Sequence, residues 1–366
     1  MMPASTDSHR AEMLKAYFCQ SISAMHVCLT NPNTAGHNRG MAVSTFPCPI
    51  EELHIEHTVI CGQAFRWKED KEGWWACLLL VTGTTHQTLV RLKQNGDTVT
   101  YQTLPEADDL ALVRDYFRLD LDLSALSREF AARDPHIQPA LADFPGLRVV
   151  RQDPTECLFS FLCTPASPLH RIRRSITAMC RAYGEPYPGG PVAGVMHYGF
   201  PSAQRLADAP LTELTGFGLG FRARYIQGTA QVVVAHGGSA WLNELRHRPY
   251  AEAKAALMTL PGVGEKIADC ICLFSLDKDD AIPVDTHIRQ IAQRRYLHGG
   301  EGAAKGGLTK KGYQEIGDLL RERFGPMAGW AQQYLFFGDL YQKGAWESYT
   351  GQVRYLEEPN RRERNS

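Results

Sequence analysis

What this 366-residue chain has little of already narrows its chemistry. Its longest apolar runs, such as residues 74–81, fall well short of the roughly 20 residues that a bilayer-spanning helix needs. Ten cysteines stand at positions 19, 28, 48, 61, 77, 157, 163, 180, 270 and 272 with no CxxC pair among them. That scatter excludes four clustered thiolates of the kind that hold an iron-sulfur cluster, and no metal or redox cofactor is expected. A disulfide framework is not expected either, because no secretory signal accompanies these thiols; a reducing compartment fits, and the protein is not expected to be secreted. One sign of charge is not in excess: 39 Lys plus Arg stand against 40 Asp plus Glu, a formal net charge of -1. This excludes a highly basic packaging protein, though not a nucleic-acid partner.

The balance conceals an asymmetry. Residues 1–150 carry a net -5, residues 151–300 a net +3 and the remainder +1. A phosphate-seeking surface is therefore expected in the second half. Length exceeds what one growing core usually accommodates, so more than one domain is expected.

Four segments are predicted. Residues 1–46 read as a disordered extension rich in Ser, Thr, Asn and Gly, with Met41 a candidate alternative start. Residues 47–150 read as an antiparallel sheet domain with flanking helices: aromatic and branched residues cluster at 65–67, 74–81, 88–92 and 98–104, and Asn95-Gly96 is a hairpin signal. From residue 108 apolar spacing of three and four takes over, predicting helices over 108–117, 123–132, 156–163, 172–183, 202–207, 222–236, 241–245, 250–259, 266–276, 286–296, 312–324 and 329–341. The helical core is thus placed at 151–343, with a glycine-rich loop at 299–307 and a tail at 344–366. The fold class is α+β, an N-terminal antiparallel β-sheet followed by a helical core.

Within that core, Leu260-Pro261-Gly262-Val263-Gly264-Glu265-Lys266 joins two helical patterns. Its glycines leave backbone N–H groups uncovered at a helix N-terminus, where the dipole favours an anion. Phosphate held that way carries no sequence information, which suits a protein that scans DNA. Alone, the turn is equally an ordinary connection. Lys266 shares a helix face with Cys270, Leu273 and Phe274, an otherwise apolar face on which an amine is costly unless it reaches water or a partner. Further on, Ala281-Ile282-Pro283-Val284 leads into Asp285 at a predicted N-cap. Lysine with aspartate makes a nucleophile with an electrostatic partner, or a structural salt bridge with a capping residue; these two residues alone favour the second.

The stretch LPGVGEKIADCICLFSLDK followed by AIPVDTHIRQIAQRRY resembles the 8-oxoguanine DNA glycosylase family of the helix-hairpin-helix superfamily. CGQAFRW at 61–67, RQDPTECLFSF at 151–161, HYGFPS at 197–202, GLGFRARY at 218–225 and GWAQ at 329–332 resemble the same family in the same order, covering about residues 47–343. The hairpin would lie at about 252–276. The resemblance implies a bifunctional glycosylase and AP lyase acting in base excision repair on duplex DNA with oxidised guanine, formamidopyrimidine-guanine included. In that scheme Lys266 attacks C1′ and forms a Schiff base, and Asp285 stabilises the charge developing on the sugar. The Gly62 carbonyl would accept the N7 proton that distinguishes 8-oxoguanine, Gln332 would read the Watson–Crick edge, and Cys270 and Phe336 would sandwich the ring. Gly262, Val263 and Gly264 would hold a backbone phosphate, His287 the phosphate beside the lesion, and Arg171, Phe221 and Arg222 the site left by the flipped base. Without the resemblance, Cys270 and Phe336 read as core residues.

This chain departs from the family at two positions. Ala166 stands where an asparagine is expected to enter the gap in the duplex, between Pro165 and Pro168, and Phe221 stands where tyrosine is usual. Less strict recognition of the opposite cytosine is expected. Rival readings are a glycosylase for another lesion, separated at Gly62 and Gln332, and a non-catalytic DNA-binding module, which would need neither Lys266 nor Asp285. No cofactor is expected beyond a cation held by hairpin carbonyls. A monomer without membrane association is expected, in the nucleus of a eukaryote or the cytoplasm of a bacterium.

Overall fold

The computed structural model describes residues 43–70, 72–80, 87–104, 109–192, 194–297 and 308–343. Most of the expected extension, the glycine-rich loop at 299–307 and the tail at 344–366 lie outside those residues. The end of the expected extension does not belong to it: Ser44–Pro47 is a strand, β1, paired antiparallel with β5.

Five strands form one antiparallel sheet in the order β1-β5-β4-β3-β2, with β2 at Lys68–Glu69, β3 at Trp75–Leu80, β4 at Gln87–Asn95 and β5 at Thr98–Leu104. Asn95 pairs with Thr98, so the hairpin turn is Gly96-Asp97, and Gly96 takes φ +57, where an L side chain is disfavoured. Alternation then sends Trp75, Cys77, Leu79, Val90, Leu92, Val99 and Tyr101 into the main core. Ala76, Leu89 and Leu104 face the other way and are covered by Tyr187 and Val192. Two local expectations fail. Phe65 to Trp67 is not a strand: Arg66 turns to meet Glu156 at 2.5 Å, and Trp67 donates its indole N–H to the Tyr116 hydroxyl at 2.9 Å. And a helix not expected from the sequence, Ile55–Ile60, precedes most of the sheet, capped by His54 and burying Ile55, Thr58, Val59 and Ile60 at helical spacing.

All twelve predicted helices are present, with ends shifted by a few residues. Their starts follow from capping chemistry: Asp122, Asp153, Ser202, Asp285 and Thr309 each accept an N–H from the third residue of the helix they begin. Two short helices, Gln138–Asp143 and Leu211–Leu214, were not predicted; Pro139 and Pro210 read there as turn residues rather than as helix starts. One apolar cluster runs from Phe46 to Phe337, so sheet and helices share a core. Polar ties reinforce it. Arg118 forms a two-pronged pair with Asp279 at 2.5 and 3.0 Å, and Trp330 donates to the same carboxylate at 2.9 Å. Burial would raise the Asp279 carboxyl, but Arg118 overrides it and holds it below the ordinary range. Arg148, fully buried, donates to the carbonyls of Glu52, Phe117, Arg118 and Leu121.

Candidate active site

The hairpin consists of the helices Tyr250–Leu257 and Glu265–Ser275. Gly262 between them takes φ +78, and a Cβ there would lie 2.6 Å from the Tyr225 ring, so both backbone and packing demand glycine. Thr229 fixes the turn from outside by donating to the Pro261 carbonyl at 2.7 Å. Gly264 begins the second helix with no side-chain cap, so the amides there stay open to an anion. Gly262 and Gly264 are exposed, and Val263 between them is buried and anchors the turn.

Lys266, in the first turn of the second helix, is half-buried with its Nζ 5.2 Å from the centre of the Phe161 ring. Phe161 lies parallel to Phe274 and edge-on to Phe65, which makes a rigid aromatic floor. Burial pushes the Cys270 thiol up to about 11, against a lowering by Lys266 and with a raising contribution from Asp285. It is therefore a neutral wall at physiological pH, close enough to feel both charges. Lys266 and Asp285 make no direct ion pair. Asp285 instead accepts the Ile288 N–H at 2.8 Å as N-cap of the helix Thr286–Arg295. The two expectations for Asp285 are thus not exclusive: its cap bond uses Oδ1 and orients the carboxylate.

A buried carboxylate beneath this pair was not singled out in the sequence. Asp269 accepts from Tyr250 and Tyr313 at 2.6 Å each and from Lys254 at 2.8 Å. Tyr313 also accepts the Val284 N–H at 3.2 Å. One hydroxyl so joins the helix of Lys266 to the extended segment that ends in Asp285.

The expected base-reading residues come from other elements. Gly62 follows the helix Ile55–Ile60 with φ +87. The next residue, Gln63, is fully buried and spans outward to the carbonyls of Thr58 and Arg148 at 2.8 and 2.7 Å, accepting the Val150 N–H at 3.0 Å. Gln332 is 3% exposed, and its side-chain carbonyl has no hydrogen-bond partner among the described residues. An unmatched buried acceptor is costly and marks a place where a ligand donor fits. One turn on, Phe336 is half-buried and meets the His287 ring edge-on at 5.6 Å. His287 is oriented by Asp339 at 2.8 Å, a carboxylate also held by Arg294 and Lys343 at 2.5 and 2.6 Å.

The remaining expected contacts face outward. Arg171 is exposed, and Phe221 is 57% exposed with Tyr225 edge-on beside it. Arg222 differs from an open reading fork: it is 6% exposed, and its Nε and Nη1 donate to the carbonyls of Pro165 and Leu219 at 2.7 and 2.9 Å. Ala166 is exposed and takes φ +50, a left-handed conformation that alanine disfavours. A cavity of about 480 Å³ lined by Arg66, Glu156, Phe200 and Gly238 contains none of the expected site residues. Among the described residues no three or more His, Cys, Asp or Glu side chains gather as a metal site, and no helix is long and apolar enough to cross a membrane.

Comparison with known proteins decides the family. The N-terminal domain of 8-oxoguanine DNA glycosylase matches residues 45–158, and the HhH-GPD superfamily of base excision DNA repair proteins matches residues 167–310. The N-glycosylase/DNA lyase OGG1 of Arabidopsis thaliana is 38% identical, over 84% of this chain and 83% of that protein. The chain belongs to the 8-oxoguanine DNA glycosylase family. A second relative, the N-glycosylase/DNA lyase of Saccharomyces cerevisiae, is 28% identical over 79% of this chain and 84% of its own length. Among solved structures, the Clostridium acetobutylicum 8-oxoguanine glycosylase/lyase bound to duplex DNA with cytosine opposite 8-oxoG is similar, at TM-score 0.69 and 26% identity over 80% of this chain and 93% of that one. MBOgg1 with a low-affinity DNA ligand reaches TM-score 0.71 at 27% identity, covering 84% and 98%. The sheet followed by a helix-hairpin-helix core is thus the arrangement of the 8-oxoguanine DNA glycosylase family.

Proposed function

We propose that this chain excises 8-oxoguanine from duplex DNA and nicks the strand it leaves, with Lys266 as nucleophile and Asp285 as its electrostatic partner. The observation that carries this reading is that Lys266, in the first turn of the second hairpin helix over the Phe161 ring, and Asp285, at the N-cap of the helix Thr286–Arg295, both act on the buried Cys270 thiol. The Lys266 amine forms a bond to C1′ as the C1′–N9 bond breaks, and the base departs with its electron pair and takes up a proton. Breaking of the C1′–O4′ bond, with the ring oxygen taking up a proton, then gives an imine, and loss of a C2′ proton to solvent expels the 3′ phosphate by β-elimination. Asp285, fixed by its cap bond, stabilises the positive charge that develops on the sugar without having to reorient.

Recognition uses the other wall. The Gly62 carbonyl accepts the N7 proton of the oxidised base, the unmatched Gln332 amide takes the Watson–Crick edge, and Phe336 and Cys270 enclose the ring. Flipping a base out costs a few kcal/mol, which phosphate contacts at the Gly262–Gly264 turn and at His287 help to offset. The reaction needs no metal or redox cofactor, and one chain supplies every group it uses.

Selectivity for cytosine opposite the lesion is relaxed in this chain, because Ala166 offers no hydrogen bond and Arg222 already serves two backbone carbonyls. The test is single-turnover excision from duplexes with C, T, G or A opposite 8-oxoguanine, alongside an undamaged duplex. Rates within about tenfold of one another, with no cleavage of undamaged DNA, fit this reading. A sharp preference for C would contradict the relaxed selectivity, and failure to release 8-oxoguanine would contradict the activity itself.

A further inference from the structure

We infer that Gln333 is a positioning residue for lesion recognition: it fixes the peptide that aims the Gly62 carbonyl at the base. Gln333 immediately follows Gln332 on the helix Ala328–Gln342, is 2% exposed, and donates its side-chain N–H to the Cys61 carbonyl at 2.8 Å. The inference rests on the role given to the Gly62 carbonyl above.

The geometry is that of a peptide held at both ends. Gly62 takes φ +87, in a region where glycine is mobile, so its carbonyl direction is not set by its own backbone preference. On its N-terminal side the Cys61 carbonyl is fixed by Gln333, and Gln63 also reaches the Cys61 thiol at 3.2 Å. On the C-terminal side the Gln63 carbonyl accepts from the Gln152 side chain at 2.8 Å, and the Gln152 backbone N–H in turn donates to the Phe274 carbonyl at 2.8 Å. Between those two held carbonyls the Gly62 carbonyl has little freedom. Gln152 ties it to the helix that carries Lys266, and Gln333 ties it to the helix that carries Gln332. Because consecutive residues on a helix point about 100° apart, one helix can present Gln332 to the base and Gln333 to the loop. The two readers of the base, Gln332 on this helix and the Gly62 carbonyl on the loop it holds, are thereby set relative to one another by one rigid element.

A donor that only satisfied a buried carbonyl would stabilise the fold without favouring one substrate. The two roles separate on an abasic-site duplex, which has no base for Gly62 to read but still needs Lys266. The chain should be compared with Gln333→Met, which keeps volume but loses the donor, and Gln333→Ala, which leaves room for water to replace it. The expected result is a fall of about tenfold in single-turnover 8-oxoguanine excision for Gln333→Met, a smaller one for Gln333→Ala, and abasic-site cleavage within about twofold for both. Equal losses on the two substrates, or no loss on either, would overturn the inference. Gly62→Ala provides the separating control: if it too excises 8-oxoguanine at full rate, the reading of Gly62 fails, whereas its loss beside an unaffected Gln333→Met removes Gln333 alone.

Discussion

The two faces proposed to meet the flipped nucleotide and its orphaned partner are built differently. On the chemistry side nearly every functional group has an anchor: Asp285 by its cap bond, His287 by Asp339, the segment before Asp285 by Tyr313 and Asp269. On the opposite-base side only Arg222 is anchored, by the carbonyls of Pro165 and Leu219; Arg171, Ala166 and Phe221 are exposed, and Ala166 holds a conformation that costs about 1 kcal/mol or more for an L residue. The contrast teaches where tolerance lies. Chemistry demands groups held within fractions of an ångström, while an orphaned base can be met by side chains that settle on binding.

The contrast is broken most severely at Asp285. Asp285→Asn keeps the cap acceptor and removes the charge, so excision should fall about 10²–10³-fold while affinity for the lesion duplex changes little. Parallel losses in single-turnover rate and in binding would make the residue structural. Next in size is Tyr313→Phe, which strips an acceptor from the Val284 N–H and a donor from Asp269. Denaturant unfolding should show a loss of about 1–3 kcal/mol, with reduced excision after correction for the folded fraction. An unchanged chain would mean that this hydroxyl does not hold the wall together. Ala166→Asn acts in the opposite direction. Asparagine tolerates the left-handed conformation, so thermal stability should hold or rise and the preference for cytosine should sharpen; a loss of stability would show that the loop cannot accept it.

The smallest effect concerns the helix leading to Gly62. His54 and His57 stack at 3.5 Å, and burial pushes His57 down to about 4. The unfolded chain takes a proton near pH 6.5, the folded one only near 4, so stability is fully present above about 6.5 and declines as pH falls from there to about 4. His57→Gln should flatten part of that decline in unfolding titrations. An identical pH dependence would remove His57 as a source.

Much of this was legible in the sequence, for physical reasons. Helices announced themselves by apolar period and capping residues, and the glycines of the hairpin by their spacing. The helix Ile55–Ile60 was hidden because six residues give less than two turns, set in a β-rich context. Asp269, Gln333 and Asp339 were harder. Each is a polar residue in an apolar helix with a partner, Tyr313, Cys61 or His287, that lies far away in the chain. The only local signal is the break in pattern, most visible at the paired Gln332-Gln333.

The account stands most directly on one measurement: borohydride trapping of the chain on an 8-oxoguanine duplex. It predicts a covalent protein-DNA adduct with the unaltered chain and none with Lys266→Gln, although that variant still binds the duplex. An adduct of undiminished yield with Lys266→Gln, or no adduct from an unaltered chain that releases the base, would contradict it.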